Sequence, residues 1–344
     1  MAWMLTVALA AATAVPPAQP AARCAAIAVP QSGACVDTAR GLVIAGTRER
    51  ASRLADLATQ GEARFLLRFA TPVPSYAVVE MNEGAIDESL DADLKQRGVA
   101  WRLPWLSEAA MADGYRASIT RAVTARAQAM ALDADRTAAL VQSALAQQAA
   151  LVAPDALRAK EAGALPHELG HGWLTHAFWP GAAARTGDHY GGPAPDWMDE
   201  TAAVMMEDDQ LADSRRRQFR SIYRGTDAAA RARLIDLSLF LSGGHPAMPQ
   251  LDLAAAKSGI QVLTGEEASR IAAAAGTFYL QARLFADYVL ARSGDPAAFR
   301  SAARAFAAGK DTAGWLADDG ARLRLPTTIT ALQRDWEAWL AAPA

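Results

Sequence analysis

Two histidines and a glutamate within five consecutive residues carry the strongest chemical signal in this sequence. His167 and His171 are four residues apart, so on a helix they lie one turn apart on the same face. Two imidazoles placed in this way can bind one Zn²⁺ through nitrogen. Glu168 follows the first histidine and points away from the histidine face, where its carboxylate can act on a water molecule without binding the metal. The spacing therefore predicts a zinc-binding helix that carries its own general base.

A catalytic zinc site also needs a third protein ligand and an open coordination position. The best candidate is Glu200, which follows Pro195-Asp-Trp-Met-Asp and precedes an apolar, helix-favouring run over 201–206. Its carboxylate is expected to project from a second helix that packs against the first. Asp199 stands next to it, but consecutive residues of a helix point about 100° apart, so only one of the two can face the metal.

Taken together, the His-Glu-x-x-His segment and the Pro-x-Trp-x-x-Glu segment resemble the gluzincin metallopeptidases, which include thermolysin-like and aminopeptidase-like proteins. Within that group, the bacterial peptidase MA-like domains look most similar, and the resemblance covers about half of the chain, from near Pro154 to the C-terminus. It implies that His167, His171 and Glu200 bind Zn²⁺. It also implies that Glu168 takes a proton from the attacking water and passes it to the leaving amine. The interval from His171 to Glu200 is longer than in the thermolysin pattern and holds a Gly/Pro-rich insert.

Aminopeptidase-like gluzincins place a tyrosine on a helix after the third ligand, where it can donate a hydrogen bond to the oxyanion of the transition state. Tyr279, in Gly276-Thr-Phe-Tyr-Leu-Gln, resembles that tyrosine in position and local pattern. The resemblance therefore implies a catalytic role for Tyr279. A tyrosine half buried on the core side of an amphipathic helix is the alternative interpretation.

Other residues compete with Glu200 for the place of third ligand. His176 follows His171 too closely for the metzincin spacing. Asp188 lies in a segment that resembles the aspzincin pattern but is one residue shorter, so whether it replaces Glu200 stays open. His189 and His245 are expected in loops, as a surface residue and a loop histidine respectively.

The elements around these residues predict an α+β fold that is mostly helical. We expect a zincin-like metallopeptidase domain with a small N-terminal sheet and a C-terminal helical part. Residues 63–69 and 75–81 are strand-like, with a helix over 48–60 before them. From Ser107 onwards, apolar residues recur at three- and four-residue spacing, as on helices. Pro166 is expected near the first turn of the metal helix, where its missing N–H costs little, or at a kink in one longer helix.

The chain is expected to have four parts. These are a signal peptide (1–14), a disulfide-stapled lead-in (15–40), an N-terminal sheet with helices (41–152), and a zincin core with C-terminal helices (153–344). The first part is apolar and ends in Ala-Thr-Ala, which fits a signal-peptidase site. Cys24 and Cys35 are the only cysteines, and a disulfide between them requires an oxidising compartment. The sequence therefore predicts a periplasmic or secreted protein.

Composition narrows the range of functions. Of 344 residues, 52% are hydrophobic and 21% are charged, and the net charge is −3, which is typical of a globular chain and argues against a nucleic-acid partner. The apolar N-terminal stretch is shorter than the roughly 20 residues that span a bilayer, so no stable membrane insertion is expected. We expect a zinc metallopeptidase acting on a peptide or protein substrate. The alternatives are a catalytically silent zincin-like binding or scaffold protein of the cell envelope, and a helical structural protein with an accidental motif.

Overall fold

The computed structural model describes residues 23–27, 33–182, 192–246 and 265–342, with side chains in its tenth helix described from Ala275 onwards. The strands are β1 (Ala34–Asp37), β2 (Gly41–Ala45), β3 (Tyr76–Met81) and β4 (Trp101–Leu106). The first six helices are α1 (Arg48–Phe69), α2 (Glu88–Gln96), α3 (Glu108–Ala129), α4 (Ala134–Gln147), α5 (Pro154–Phe178) and α6 (Asp196–Met206). The later ones are α7 (Asp209–Arg224), α8 (Ala228–Arg231), α9 (Leu237–Ser242), α10 (Gly265–Ser293), α11 (Phe299–Ala307), α12 (Thr312–Asp319) and α13 (Ile329–Ala341). A mostly helical fold with a small sheet is thus confirmed. The signal-peptide prediction lies outside the described residues.

The four strands form one mixed sheet in the order β1-β2-β3-β4. β1 pairs antiparallel with β2, whereas β2, β3 and β4 run parallel, and Val43 of β2 lies opposite Val78 of β3. Helices α1 and α2 make the crossovers that parallel pairing requires. The sheet therefore begins in the segment that was expected to be a lead-in.

Alternation along the strands gives the sheet two apolar faces. Val43 and Val78 point to the side covered by α1 and α5, where the main core of the molecule lies. Ile44 and Val79 point to the other side, which α2 covers with Leu90 and Leu94. Because both faces are buried, the central strands are apolar at nearly every position. The larger core continues from the sheet through α5 and α6 to the last helices.

One strand prediction was wrong: residues 63–69 belong to α1. Gly61, Phe65 and Phe69 recur every four residues and are all buried, which is the period of a helix face. A β-carbon at Gly61 would lie 3.0 Å from the ring of Trp173 in α5. Glycine therefore allows α1 to pack against α5 at that point, and the helix continues past it.

The disulfide between Cys24 and Cys35 is present. It joins a short 3₁₀ turn (Cys24–Ala26) to β1. Within the described residues, no helix combines the length and apolarity needed to cross a membrane.

A buried ion-pair network fixes α5 to the sheet. Arg50 of α1 donates from Nε to Glu80 of β3 at 2.6 Å and forms a bidentate pair with Glu161 of α5. Glu161 also accepts from Trp105 Nε1 at 2.7 Å. Arg50 and Glu161 are 6% and 2% exposed, so this network is shielded from water. It sets the position of α5 two turns before its first histidine.

Candidate metal centre

Helix α5 carries the two histidines. It begins at Pro154, and it continues through Pro166 to Phe178. The prediction of Pro166 in a first turn was therefore wrong, and the single long helix is the arrangement observed. The rings of His167 and His171 lie side by side on one face, with centroids 5.0 Å apart. The helix thus presents both imidazoles in the direction of α6.

Helix α6 brings Glu200 to this pair. All of its residues are buried, so it runs through the interior with no solvent-facing side. Glu200 Oε2 lies 3.6 Å from His167 Nε2 and 3.9 Å from His171 Nε2. The candidate donor atoms of the three residues all lie within 4.8 Å of one another. The structure therefore brings together the three residues that the sequence singled out.

Close packing of α5 on α6 makes this convergence possible. At Gly170, between the two histidines, a β-carbon would lie 2.9 Å from the Cα of Ala203 in α6. Any side chain larger than hydrogen would therefore push the two helices apart. Since Ala203 is one turn after Glu200, the contact lies directly beside the site.

Two further carboxylates hold the outer nitrogens of the imidazoles. His171 Nδ1 is 2.9 Å from Asp199 Oδ2, and His167 Nδ1 is 2.9 Å from Glu207 Oε1. Because an ionised carboxylate only accepts hydrogen bonds, each Nδ1 carries the proton and each Nε2 is left as a donor atom for a metal. Arg215 donates to Glu207 at 2.6 Å, which keeps this carboxylate in place.

The sequence did not single out Glu207 or Arg215, because they belong to charge runs (207–209 and 215–217) of the kind that usually forms a solvated helix face. Glu207 is instead 3% exposed. The sequence held one usable signal, because Glu207 follows Glu200 by seven residues, or about two helical turns. The sequence suggested Asp199 only as a competing metal ligand. In the structure its carboxylate contacts His171 Nδ1, whereas Nε2 of the same ring faces Glu200.

The electrostatics of the cluster favour a bound cation. Neither carboxylate oxygen of Glu200 accepts a hydrogen bond from the described part of the chain, and burial raises the pKa of Glu200 to about 7. Burial acts to lower the pKa of His171, but the charges of Asp199 and Glu200 outweigh it and raise the value to about 10. The carboxylate charges around His171 and the buried carboxylate of Glu200 are groups that a divalent cation would neutralise. The donor set of two imidazole nitrogens and one carboxylate oxygen fits Zn²⁺.

Glu168 lies beside the cluster without belonging to it. Its side chain is exposed, while those of His167 and Leu169 on either side are buried. Its charge is the smallest of the contributions that raise the pKa of His171.

Tyr279 and His245 form the wall of the site opposite the histidine helix. The Tyr279 ring lies 5.7 Å from the ring of His167 and 5.7 Å from that of His245, centroid to centroid. His245 Nε2 is 3.5 Å from Glu200 Oε1, and the residue is 1% exposed. His245 therefore lies in a loop, as predicted, but its burial beside Glu200 was not indicated by the sequence. Burial, together with the charges of His171 and His167, lowers the pKa of His245 to about 4, so its imidazole is neutral.

The remaining competitors do not join the group in the described residues. His176 lies in the last turn of α5 and is not among the clustered donor atoms. Asp188 and His189 lie outside the described residues, so the choice between Asp188 and Glu200 rests on the observed proximity of Glu200 alone.

Comparisons with family models, curated proteins and solved structures found no match in any of the three. A functional conclusion for this chain therefore depends on the geometry of its own residues.

Proposed function

We propose that this protein is a zinc-dependent metallopeptidase of the gluzincin type. The observation that carries the proposal is the convergence of His167 Nε2, His171 Nε2 and Glu200 Oε2 from two packed helices, with Glu168 exposed beside them. The predicted zincin-like domain, with the sheet beside the metal helix, belongs to the same proposal.

Three protein ligands would leave one coordination position free for solvent or substrate, as in catalytic zinc sites. When bound by His167, His171 and Glu200, zinc supplies a Lewis acid that makes water nucleophilic near neutral pH and polarises the scissile carbonyl. Asp199 and Glu207 hold the two imidazoles in the tautomer that binds metal.

Two side chains of the protein then transfer the proton and stabilise the developing negative charge. Glu168 takes the proton of the attacking water and passes it to the leaving amine. Tyr279, whose ring packs against His167, donates a hydrogen bond from its hydroxyl to the oxyanion that develops on the substrate. The substrate is a peptide or protein.

The disulfide between Cys24 and Cys35 supports a location outside the cytoplasm, because reducing compartments keep cysteines in the free thiol form. We propose the periplasm or the extracellular medium, where a peptidase of this type meets exported or environmental proteins.

The experiment that tests this function is the substitution Glu168→Gln. Because the amide cannot accept the proton, hydrolysis of a fluorescence-quenched peptide library should fall by about 10²–10⁴-fold. Zinc content should stay at one ion per chain, as measured by elemental analysis. Glu88→Gln, at an exposed position on α2, is the matched control and should cleave at the wild-type rate. Equal activity in both variants would refute the role of Glu168.

Metal content separates the alternatives. Glu200→Gln preserves size and removes the charged donor, so it should lose most of the bound zinc. Wild-type protein that binds zinc and cleaves no member of the library would favour the silent binding or scaffold protein. Wild-type protein that binds no zinc would favour an accidental motif.

A further inference from the structure

A cationic cleft lies outside the metal centre, between α11 and α12. Its volume is about 650 Å³, which is in the range of ligand-binding pockets. Its lining includes four basic side chains, Arg300, Arg304, Lys310 and Arg322. None of the residues of the histidine and glutamate cluster lines it.

The acidic residues of the cleft are already paired. Asp318 forms an ion pair with Lys310, and Asp319 accepts from Arg322 Nη2 at 2.9 Å. Asp295 lies 4.0 Å from Arg322 Nη1. These ion pairs occupy all three carboxylates, and with Arg300 and Arg304 included the lining has a net charge of +1.

Arg300 and Arg304 are left with uncompensated charge. Within the described residues, no carboxylate lies at ion-pair distance from either of them, although nearly all of the cleft's other charges are paired. The Nε of Arg300 is buried and has no hydrogen-bond acceptor in this part of the chain, which is costly for a charged donor. The two residues are one helical turn apart, and like charges at that spacing destabilise a helix.

The opposite side of α11 is buried in the main core through Phe299, Ala302, Ala303 and Phe306. This packing places Arg300 and Arg304 on the cleft side, where both line the cavity.

We propose that this cleft binds a phosphate group through Arg300 and Arg304, either as free phosphate or as a phosphate monoester on a larger molecule. Guanidinium forks match phosphate oxygens through paired hydrogen bonds. A phosphate monoester offers three strong acceptor oxygens, so it can accept hydrogen bonds from both guanidinium groups at once, whereas a carboxylate offers two. The volume exceeds that of the ion itself and leaves room for the group that carries it.

The cleft is separated from the proposed zinc site by the core. Trp315 of α12 packs against Trp197 of α6 with ring centroids 6.0 Å apart, and Trp197 donates to Thr312 Oγ1 at 3.1 Å. The phosphate site therefore stands independently of the peptidase proposal, and neither fails with the other.

The test is calorimetric titration of the full chain with inorganic phosphate, alongside sedimentation with phosphatidylcholine vesicles that contain or lack phosphatidic acid. Arg300→Gln with Arg304→Gln should weaken binding at least tenfold. Arg217→Gln with Arg220→Gln is the matched control, since both arginines are exposed on α7 and the charge change is the same. If circular dichroism shows that the double variant is altered, Arg304→Gln alone, at an exposed position, replaces it.

Each outcome decides the matter. Binding of both probes that is lost only in the cleft variant supports the site and a free phosphate ligand. Binding of phosphatidic acid vesicles alone, lost in the same variant, supports a phosphate carried on a lipid. Equal losses in the cleft and control variants indicate non-specific charge attraction and overturn the proposal, as does the absence of binding to either probe.

Discussion

The contact of Gly170 with α6 gives the most informative perturbation of the metal centre. In Gly170→Ala, the new β-carbon would lie 2.9 Å from Ala203 Cα and 3.0 Å from Met206 Cγ. Carbon atoms attract one another best at about 3.5–4.0 Å, so α5 and α6 must separate by roughly 0.5–1 Å. Glu200 lies one turn before Ala203, and it moves away from the histidines with its helix.

Two opposing effects determine the stability of this variant. Alanine gains about 1 kcal/mol over glycine in a helix interior, and overpacking of a buried contact costs about 1–3 kcal/mol. Gly114→Ala in α3 is the matched control, because a β-carbon there meets no atom within 4 Å. The helix preference is common to both variants, so the difference between their free energies of unfolding isolates the packing cost. We expect Gly170→Ala to be less stable than Gly114→Ala by about 1–3 kcal/mol.

Zinc affinity should fall by a corresponding amount. A bound ion has to draw the helices back together against the strain, and a coupling of about 1–3 kcal/mol corresponds to a roughly 5- to 150-fold change in affinity. Urea unfolding of the metal-free protein measures the free energy of unfolding, and competition with a chromophoric chelator measures the zinc affinity. If the free energies of unfolding of Gly170→Ala and Gly114→Ala differ by less than about 0.5 kcal/mol, and the two variants bind zinc equally, the close helix contact does not position Glu200.

Three further predictions concern the scaffold. Glu161→Gln should lower the free energy of unfolding by about 1–3 kcal/mol in urea titrations, because it removes the bidentate partner of the buried Arg50 and leaves Glu80 as the nearest remaining carboxylate; an effect under about 1 kcal/mol would show that the pair is solvated. Replacing both Cys24 and Cys35 with serine should cost about 3 kcal/mol by freeing the unfolded chain, and wild-type stability in that variant would contradict the entropic argument. For Asp287, burial raises the pKa, but the hydrogen bonds and charges of nearby arginines outweigh it, so the folded-state pKa is lowered. Its stabilising effect is therefore present at neutral pH and lost as the pH falls through that value. Asp287→Asn should be less stable than wild type at neutral pH, with the gap narrowing as the pH falls below the ordinary range of an aspartate carboxyl group; a gap that does not change with pH would exclude the ionised carboxylate as its cause.

The identity of the three candidate ligands was predictable because it depends on local patterns, whereas their meeting depends on the packing of α5 against α6 at Gly170. Spacing of four residues places His167 and His171 on one helix face whatever the rest of the chain does. Glu200 was identified by an apolar helix pattern, which also explains why α6 is buried along its whole length. In each case, a short-range pattern in the sequence was sufficient.

The residues that sequence reasoning misjudged owe their positions to tertiary contacts. His245 stands between a short helix and residues outside the described part, and only the packing of α9 and α10 brings it to Glu200. β4 contains Pro104, which usually argues against a strand. The strand is tolerated because it lies at the edge of the sheet, where proline's missing donor costs little. Residues 63–69 are equally compatible with strand and helix in isolation, and Trp173 on a distant helix decides between them.

Among the α-helices of the described part of the chain, α4 alone has no buried residue. Both cysteines of the chain are joined to each other, so a cysteine introduced at the exposed Ser143 would be its sole reactive thiol. None of the residues of the metal centre belongs to α4. This helix therefore offers an attachment point for a fluorescent dye or a solid support. The molecule could be labelled or immobilised there without altering a residue of the metal centre.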